Sequence, residues 1–424
     1  MTTPDPTSPP EDLFAPDAPP LEGWPEQPDA VRLDMDLLRA DPDELYRKLR
    51  REHGAVVPVL LEPDIPVWMV LGYRELLRVT TDPKVFARDS RRWHAWDRVP
   101  PDWELMTFVA YRPTMLFSEG ADHERRSEAV IDSMESVDPS ELRAECERVA
   151  DRLIDVFAGS GRADLMAEYA SQIPLRVLNR MYGLDDDPAL TQEMVDLVSG
   201  KAVPAAFDRL TNRMVGLLEH ARANPDATNI ASVLAFHPAG LNDEEIINDL
   251  LGNVYAAHQP TTDLIGNALR LMLTDERFAV TMAGGRRSVG QALNEVLWES
   301  TPVPNWVGRW ASEDTMFSGR HIRKGDCLML GLAAANADPD VRPDFRAGAS
   351  GNQAHMAFSH GPHGCPQAAR ELAENIAMAA IEVLIDRLPD VSLSITPEEL
   401  QWRSALMIRG VSSIPVEFTP AFAR

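Results

Sequence analysis

Cysteine is scarce in this sequence: Cys146, Cys327 and Cys365 are the only three in 424 residues. Their number is odd and their spacing wide, which excludes a disulfide framework and makes a reducing cytoplasm the expected compartment. Positive charge is also in deficit. Lys and Arg total 41 against 66 Asp and Glu, a net charge of -25, so neither nucleic acid nor an anionic membrane is expected as a partner over the whole surface. Long apolar runs are missing, none reaching the roughly 18 uncharged residues of a membrane span. The first residues, MTTPDPTSPPEDLFAPDAPP, lack the basic and apolar regions of a signal peptide. Apolar residues nevertheless make up 44%, enough for a sizeable core.

Residues 1–30, rich in Pro, Asp and Glu, are expected to form a flexible arm, and 31–424 a single domain. PDELYRKLRREHG predicts a helix capped by Asp41 and stopped by Gly54. VVPVLLEPDIPVWMVLG predicts two strands around a Pro-Asp turn. Residues 88–104, with Trp93, Trp96 and Trp103, read as a long ordered loop. ELRAECERVADRLIDVFAGSG predicts a helix with Leu142, Val149, Leu153 and Val156 on one face. The longest helical pattern runs from about Asp243 to Leu273 with Pro260 in its middle, and a further helix follows Cys365. The fold class is mainly α with minor β, without the strand–helix alternation of a parallel sheet.

The densest chemistry lies in AFSHGPHGC, Ala357 to Cys365. An isolated cysteine in a turn reads first as a buried, inert thiol. Zinc held by His360, His363 and Cys365 is a second reading, discounted because structural zinc wants four ligands and no second pair is evident. A third follows from Pro366, which suits a helix start. A thiol there would feel the positive end of the helix dipole, which favours thiolate.

Phe358-Ser-His-Gly361-Pro-His363-Gly-Cys365 resembles the haem-binding motif of the cytochrome P450 family, Phe-Gly-x-Gly-x-His-x-Cys-x-Gly, with Ser359 and Gln367 replacing its outer glycines. Other segments agree in order: GADHERR from Gly120 resembles the family's C helix, LLGNVYAAHQPTTDLIGN its I helix, and AANADPDVRPDF a stretch before the cysteine loop. The resemblance runs from about residue 31 to the end. It implies the P450 fold, with haem b (iron protoporphyrin IX) between the long I helix and the Cys-loop and L helix. It makes Cys365 the ligand to iron and packs Phe358 near the sulfur, in a loop where Gly361 allows close approach. His363, Arg309 and His123 would reach haem propionates, and Ala256 and Ala257 would lie over the haem face. Val303, Asn305, Val307, Met407 and Ile408 would line a pocket for a small apolar organic substrate.

Three departures qualify this. The family's Glu-x-x-Arg becomes Glu295-Val-Leu-Trp298, as in an actinobacterial branch that lacks the arginine, so Glu295 must find another cation or lie nearer solvent. The I-helix acid and alcohol become Gln259 and Pro260, leaving Thr261 to relay protons through water; His258 is expected to point away from haem. The C-helix arginine becomes Ser127, so propionate pairing is rebuilt with Arg126 or lost. The resemblance implies a haem-thiolate monooxygenase supplied by ferredoxin and ferredoxin reductase, with Arg125, Arg126 and Arg370 as candidate docking residues. The altered relay leaves open a peroxide-using enzyme, or a haem-binding protein with a regulatory role and little turnover.

Overall fold

The computed structural model describes residues 29–184, 193, 203–225, 227–275, 287–342, 351–404 and 406–421. The expected arm over 1–30 falls outside them save its last two residues. The chain, expected as a single domain, groups into two compact units. One comprises Met1–Glu124, Pro304–Phe345 and Ser359–Gly364; the other comprises Arg125–Val303, Arg346–Phe358 and Cys365–Arg424.

The first unit is built on a six-stranded sheet. Its strand order is Val31–Arg32, Val56–Leu61, Ile65–Val70, Cys327–Gly331, Asn305–Ala311 and Phe86–Ala87. The helix Pro42–His53 leads into it: Asp41 accepts from the Glu44 amide, Pro42 takes the first turn, and Gly54 ends the helix at φ +90°. Val56–Leu61 and Ile65–Val70 pair antiparallel across the Pro-Asp turn. Asn305–Ala311 is a strand that sequence reading missed. It pairs antiparallel with Cys327–Gly331, and a bulge falls between Val307 and Arg309. The loop over 88–104 is ordered by indoles, Trp93 lying 5.3 Å from Trp96, 6.0 Å from Trp103 and 6.4 Å from Trp310 between ring centroids.

The second unit is mainly helical. Its axis is the helix Asp243–Thr274, opened by a capping box in which Asn242 and Glu245 satisfy each other's backbone amides. Gln367–Arg387 packs against this helix and against Pro139–Phe157. In Pro139–Phe157, Leu142, Val149 and Leu153 are buried as expected, but Val156 is 82% exposed. Ile154 and Phe157 take the inner face with Leu153, and Val156, about 60° from Leu153 on the other side, lies at the exposed edge of the stripe. Short strands complete the unit: Arg162–Asp164, Pro415–Glu417 and Ser392–Leu393 form one sheet, and Trp402–Ser404 pairs with Arg409–Val411. Among the described residues, no helix is long and apolar enough to cross a membrane.

Candidate functional site

The cysteine loop closes on its own backbone. The Cys365 amide donates to the Phe358 carbonyl and the Gly364 amide to the Gly361 carbonyl, both at 2.9 Å. Gly361 adopts φ +75°, and a Cβ there would lie 2.1 Å from the Thr80 carbonyl oxygen, so its close approach is to backbone. Pro366 is the N-cap of Gln367–Arg387 rather than its first residue. Burial pushes the Cys365 thiol up to about 11, with Arg370 pulling it partly back. Burial thus opposes the thiolate that a helix start favours. A cation bonded to the sulfur, as a metal ion would be, is what favours the thiolate. Among the described residues, no three His, Cys, Asp or Glu side chains gather as a further metal site.

The residues before the cysteine are held without a Glu-x-x-Arg arginine. The Trp298 indole donates to the Asn352 carbonyl at 2.7 Å. Its ring meets His355 edge-on at 6.0 Å, and His355 lies 5.9 Å from Phe358. Arg370 sits 5.4 Å over the Phe358 ring and donates from Nε to the Cys365 carbonyl at 2.9 Å. This aromatic chain connects the helix Arg287–Glu299 to the cysteine. The indole thus bonds a carbonyl, and Glu295 is itself buried.

In the first unit a cluster of basic groups is enclosed. Arg309 is 1% exposed and Arg88 is 0% exposed. Both guanidinium groups donate from Nη1 to the same acceptor, the Gly308 carbonyl. Gly308 has φ +126°, and a Cβ there would lie 2.5 Å from Arg88 Nη1, so only glycine lets the arginine lie across the bulge. His363 stacks on His123 with ring centroids 3.8 Å apart. His123 faces the carbonyls of Met115 and Pro362 at 3.0 Å each, and a neutral imidazole can donate to only one of them. Arg309 Nη2, Arg88 Nη2 and His363 Nδ1 are buried without a hydrogen-bond partner among the described residues. Burial pushes Arg309 down to about 9, and burial with the charges of His123, Arg309 and Arg88 pushes His363 to about 2. A guanidinium does not give up its proton in a protein. The unpartnered guanidinium nitrogens therefore leave room for an anion, a place that the carboxylates of a haem would fill. The residues present fit that group.

Arg126 is committed elsewhere. It donates to Asp249 at 2.7 Å and 3.1 Å, both side chains being buried, so Asp249 rather than a propionate is its carboxylate here. Arg125 pairs with Glu245 at 2.5 Å. With Arg370 bound to the Cys365 carbonyl, each of the three expected docking arginines has an internal partner.

The long helix runs through Pro260 without a break, although Pro260 cannot donate to the Ala256 carbonyl. Gln259 donates to Asp263 at 3.1 Å, one turn on, and Arg403 donates to the same carboxylate oxygen. Burial raises Asp263, with Arg403 and Gln259 opposing. This carboxylate lies one turn beyond the family's acid position, and its i, i+4 spacing to Gln259 is the signal the sequence carries for it. His258 is buried against the Ser171 carbonyl at 3.3 Å, and burial pushes it down to about 4. Thr261 is buried, Ala257 and Pro260 are half-buried, and Ala256 is exposed.

The expected pocket residues divide. Val303 and Ile408 are half-buried and Met407 is buried. Asn305 and Val307 are fully buried in the sheet, Asn305 accepting from Tyr46 Oη at 3.2 Å. Two-residue alternation puts them on the same face, and the half-buried side chain between them is Trp306, edge-on to Phe108 at 5.9 Å.

No family model matches the chain. It is 31% identical to the vitamin D(3) 25-hydroxylase of Pseudonocardia autotrophica over 396 residues, 90% of this chain and 95% of that one. The cytochrome P450 monooxygenase PikC of Streptomyces venezuelae is 28% identical, covering 89% of this chain and 91% of its own. CYP154C4 from Streptomyces sp. ATCC 11861 superposes with a TM-score of 0.81 at 27% identity, over 92% of this chain and 98% of that one. The tirandamycin C-bound P450 monooxygenase TamI gives a TM-score of 0.77 at 27% identity, over 92% and 100%. The motif, the helical fold and these relatives agree: the chain belongs to the cytochrome P450 family and is an oxidoreductase of the monooxygenase type.

Proposed function

We propose that this monooxygenase inserts one oxygen atom into a small apolar organic molecule, using electrons from ferredoxin and ferredoxin reductase in the cytoplasm. The observation that carries the haem reading is the buried pair of guanidinium groups, Arg309 and Arg88, beside a neutral His363, whose unpartnered nitrogens call for carboxylates. Cys365 would ligate the iron, while Arg309 and His363 would take the propionates. When bound, the haem supplies the oxidising chemistry, its thiolate ligand favouring O–O cleavage. The protein's own part is to seat the sulfur by the Cys365–Phe358 backbone bond and to hold Gln259, which stands where the family keeps its acid, against Asp263 one turn on. Relatives named as hydroxylases of vitamin D(3) and of 2-hydroxy-5-methyl-1-naphthoate support an organic substrate.

The reduced, CO-bound protein should show the red-shifted Soret band of thiolate ligation, and Cys365→Ala should abolish it. A histidine-type band in the wild type sinks the cysteine assignment. Turnover of a panel of apolar compounds should depend on ferredoxin, its reductase and NAD(P)H. Turnover with hydrogen peroxide alone, and none with ferredoxin, would replace the electron-donor assignment by a peroxide-using one.

A further inference from the structure

Arg88 belongs to no part of the motif described above. It follows the two-residue strand Phe86–Ala87, which pairs antiparallel with Ala311 and Trp310. That pairing lays Arg88 beside the bulge that carries Arg309. Its Nε donates to the Leu116 carbonyl at 3.0 Å, and its guanidinium carbon stands 5.7 Å from the centre of the Phe117 ring. Its Nη1 shares the Gly308 carbonyl with Arg309, and its Nη2 is buried without a partner among the described residues. Glu119, the acid beside it, is already engaged. One of its oxygens accepts from the backbone amides of Arg88 and Asp89 at 2.9 and 2.8 Å, and the other accepts from Arg92 at 2.8 Å. Two like-charged guanidinium groups that converge on one carbonyl repel each other in a low-dielectric setting. Burial and Arg309 accordingly push Arg88 well below its usual range.

The helix Gly120–Glu135 has Ser127 where an arginine would be expected, and its Arg126 is held by Asp249. The enclosed cluster nonetheless contains two guanidinium groups. We propose that Arg88 is the relocated second arginine, a cofactor-binding residue that donates to a haem carboxylate beside Arg309 and His363. This rests on the haem reading above. Such a relocation preserves the charge balance of the site while moving its source from a helix to a sheet edge.

The test is haem retention in Arg88→Met and Arg88→Lys, measured as the rate of haem transfer from each ferric holoenzyme to excess apomyoglobin. The Met variant should lose haem roughly tenfold to a hundredfold faster than wild type, the loss expected for one charge-assisted bond. The Lys variant should fall between. The same comparison is then made after reconstitution with iron protoporphyrin IX dimethyl ester, whose carboxylates are blocked. There the gap between wild type and the variants should close to within about twofold, since a purely structural role would persist with the ester. Equal retention of the free-acid haem, or a gap that survives esterification, overturns the proposal. If Arg88→Met yields no folded protein, the Lys variant carries the same acid-against-ester comparison. Failure of the underlying haem reading looks different: wild type itself would then show no thiolate Soret band.

Discussion

Arg126 and Arg309 are both buried arginines, yet one has its carboxylate and the other does not. Arg126 sits against Asp249, whose side chain is 0% exposed. Arg309 shares one carbonyl with Arg88 and leaves Nη2 bare. Burying a charge costs several kcal/mol, and a chain that folds normally offsets this from within. The second unit does so, with Arg126–Asp249 and with Arg403–Asp263. The cluster of the first unit does not, and that contrast separates a structural ion pair from a site shaped for an anion.

The largest effect tests the contrast directly. Asp249→Asn removes the nearer and fully buried countercharge of Arg126, leaving Glu245 at 3.7 Å, and is expected to destabilise the protein by about 3 kcal/mol in urea unfolding. Arg309→Met removes a cation that no described carboxylate balances. In the haem-free protein it should be neutral or stabilising by about 1–4 kcal/mol, while lowering haem occupancy. If Arg309→Met destabilises the haem-free chain as strongly as Asp249→Asn, Arg309 is balanced from within and the contrast breaks.

His258 offers a third way to bury a base, by keeping it neutral. Its folded value of about 4 lies below the unfolded value of about 6.5. The unfolded chain therefore binds the extra proton first, so this stability is fully present above about pH 6.5 and is lost as pH falls toward 4. The shift corresponds to about 3 kcal/mol. His258→Gln should flatten that part of the stability–pH curve between pH 6.5 and 4. An unchanged slope would mean that His258 is charged in the native state, and burial of bases here would then always need a partner.

Sequence reading captured what local patterns determine. Asp41 and Gly54 bracket their helix because a cap and a left-handed stop act within a few residues. The long helix, expected to about Leu273, ends at Thr274. Cys365 was legible through its motif. Arg88 and Asp263 were not, because each gains its meaning from groups brought near by folding: a carbonyl 220 positions away for Arg88, an arginine 140 away for Asp263. Trp298 read only as the loss of the Glu-x-x-Arg arginine. Its bond to Asn352 depends on where a distant loop lies, which the spacing within its own helix cannot show.

The smallest effect concerns an orphan atom of another kind. Ser359 Oγ is also buried without a hydrogen-bond partner among the described residues, but it carries no charge and calls for no anion. Ser359 adopts φ +58°, a left-handed conformation that costs a residue with a Cβ roughly 1–2 kcal/mol, and it stands where the family motif has glycine. Ser359→Gly removes both the hydroxyl and the Cβ, at the cost of a more flexible unfolded chain. The net expectation is a gain of about 1 kcal/mol in urea unfolding with haem transfer to apomyoglobin unchanged. Faster haem loss in Ser359→Gly would show that a neutral orphan also serves the cofactor. Charge would then no longer be what distinguishes the atoms waiting for a ligand from those that are merely strained.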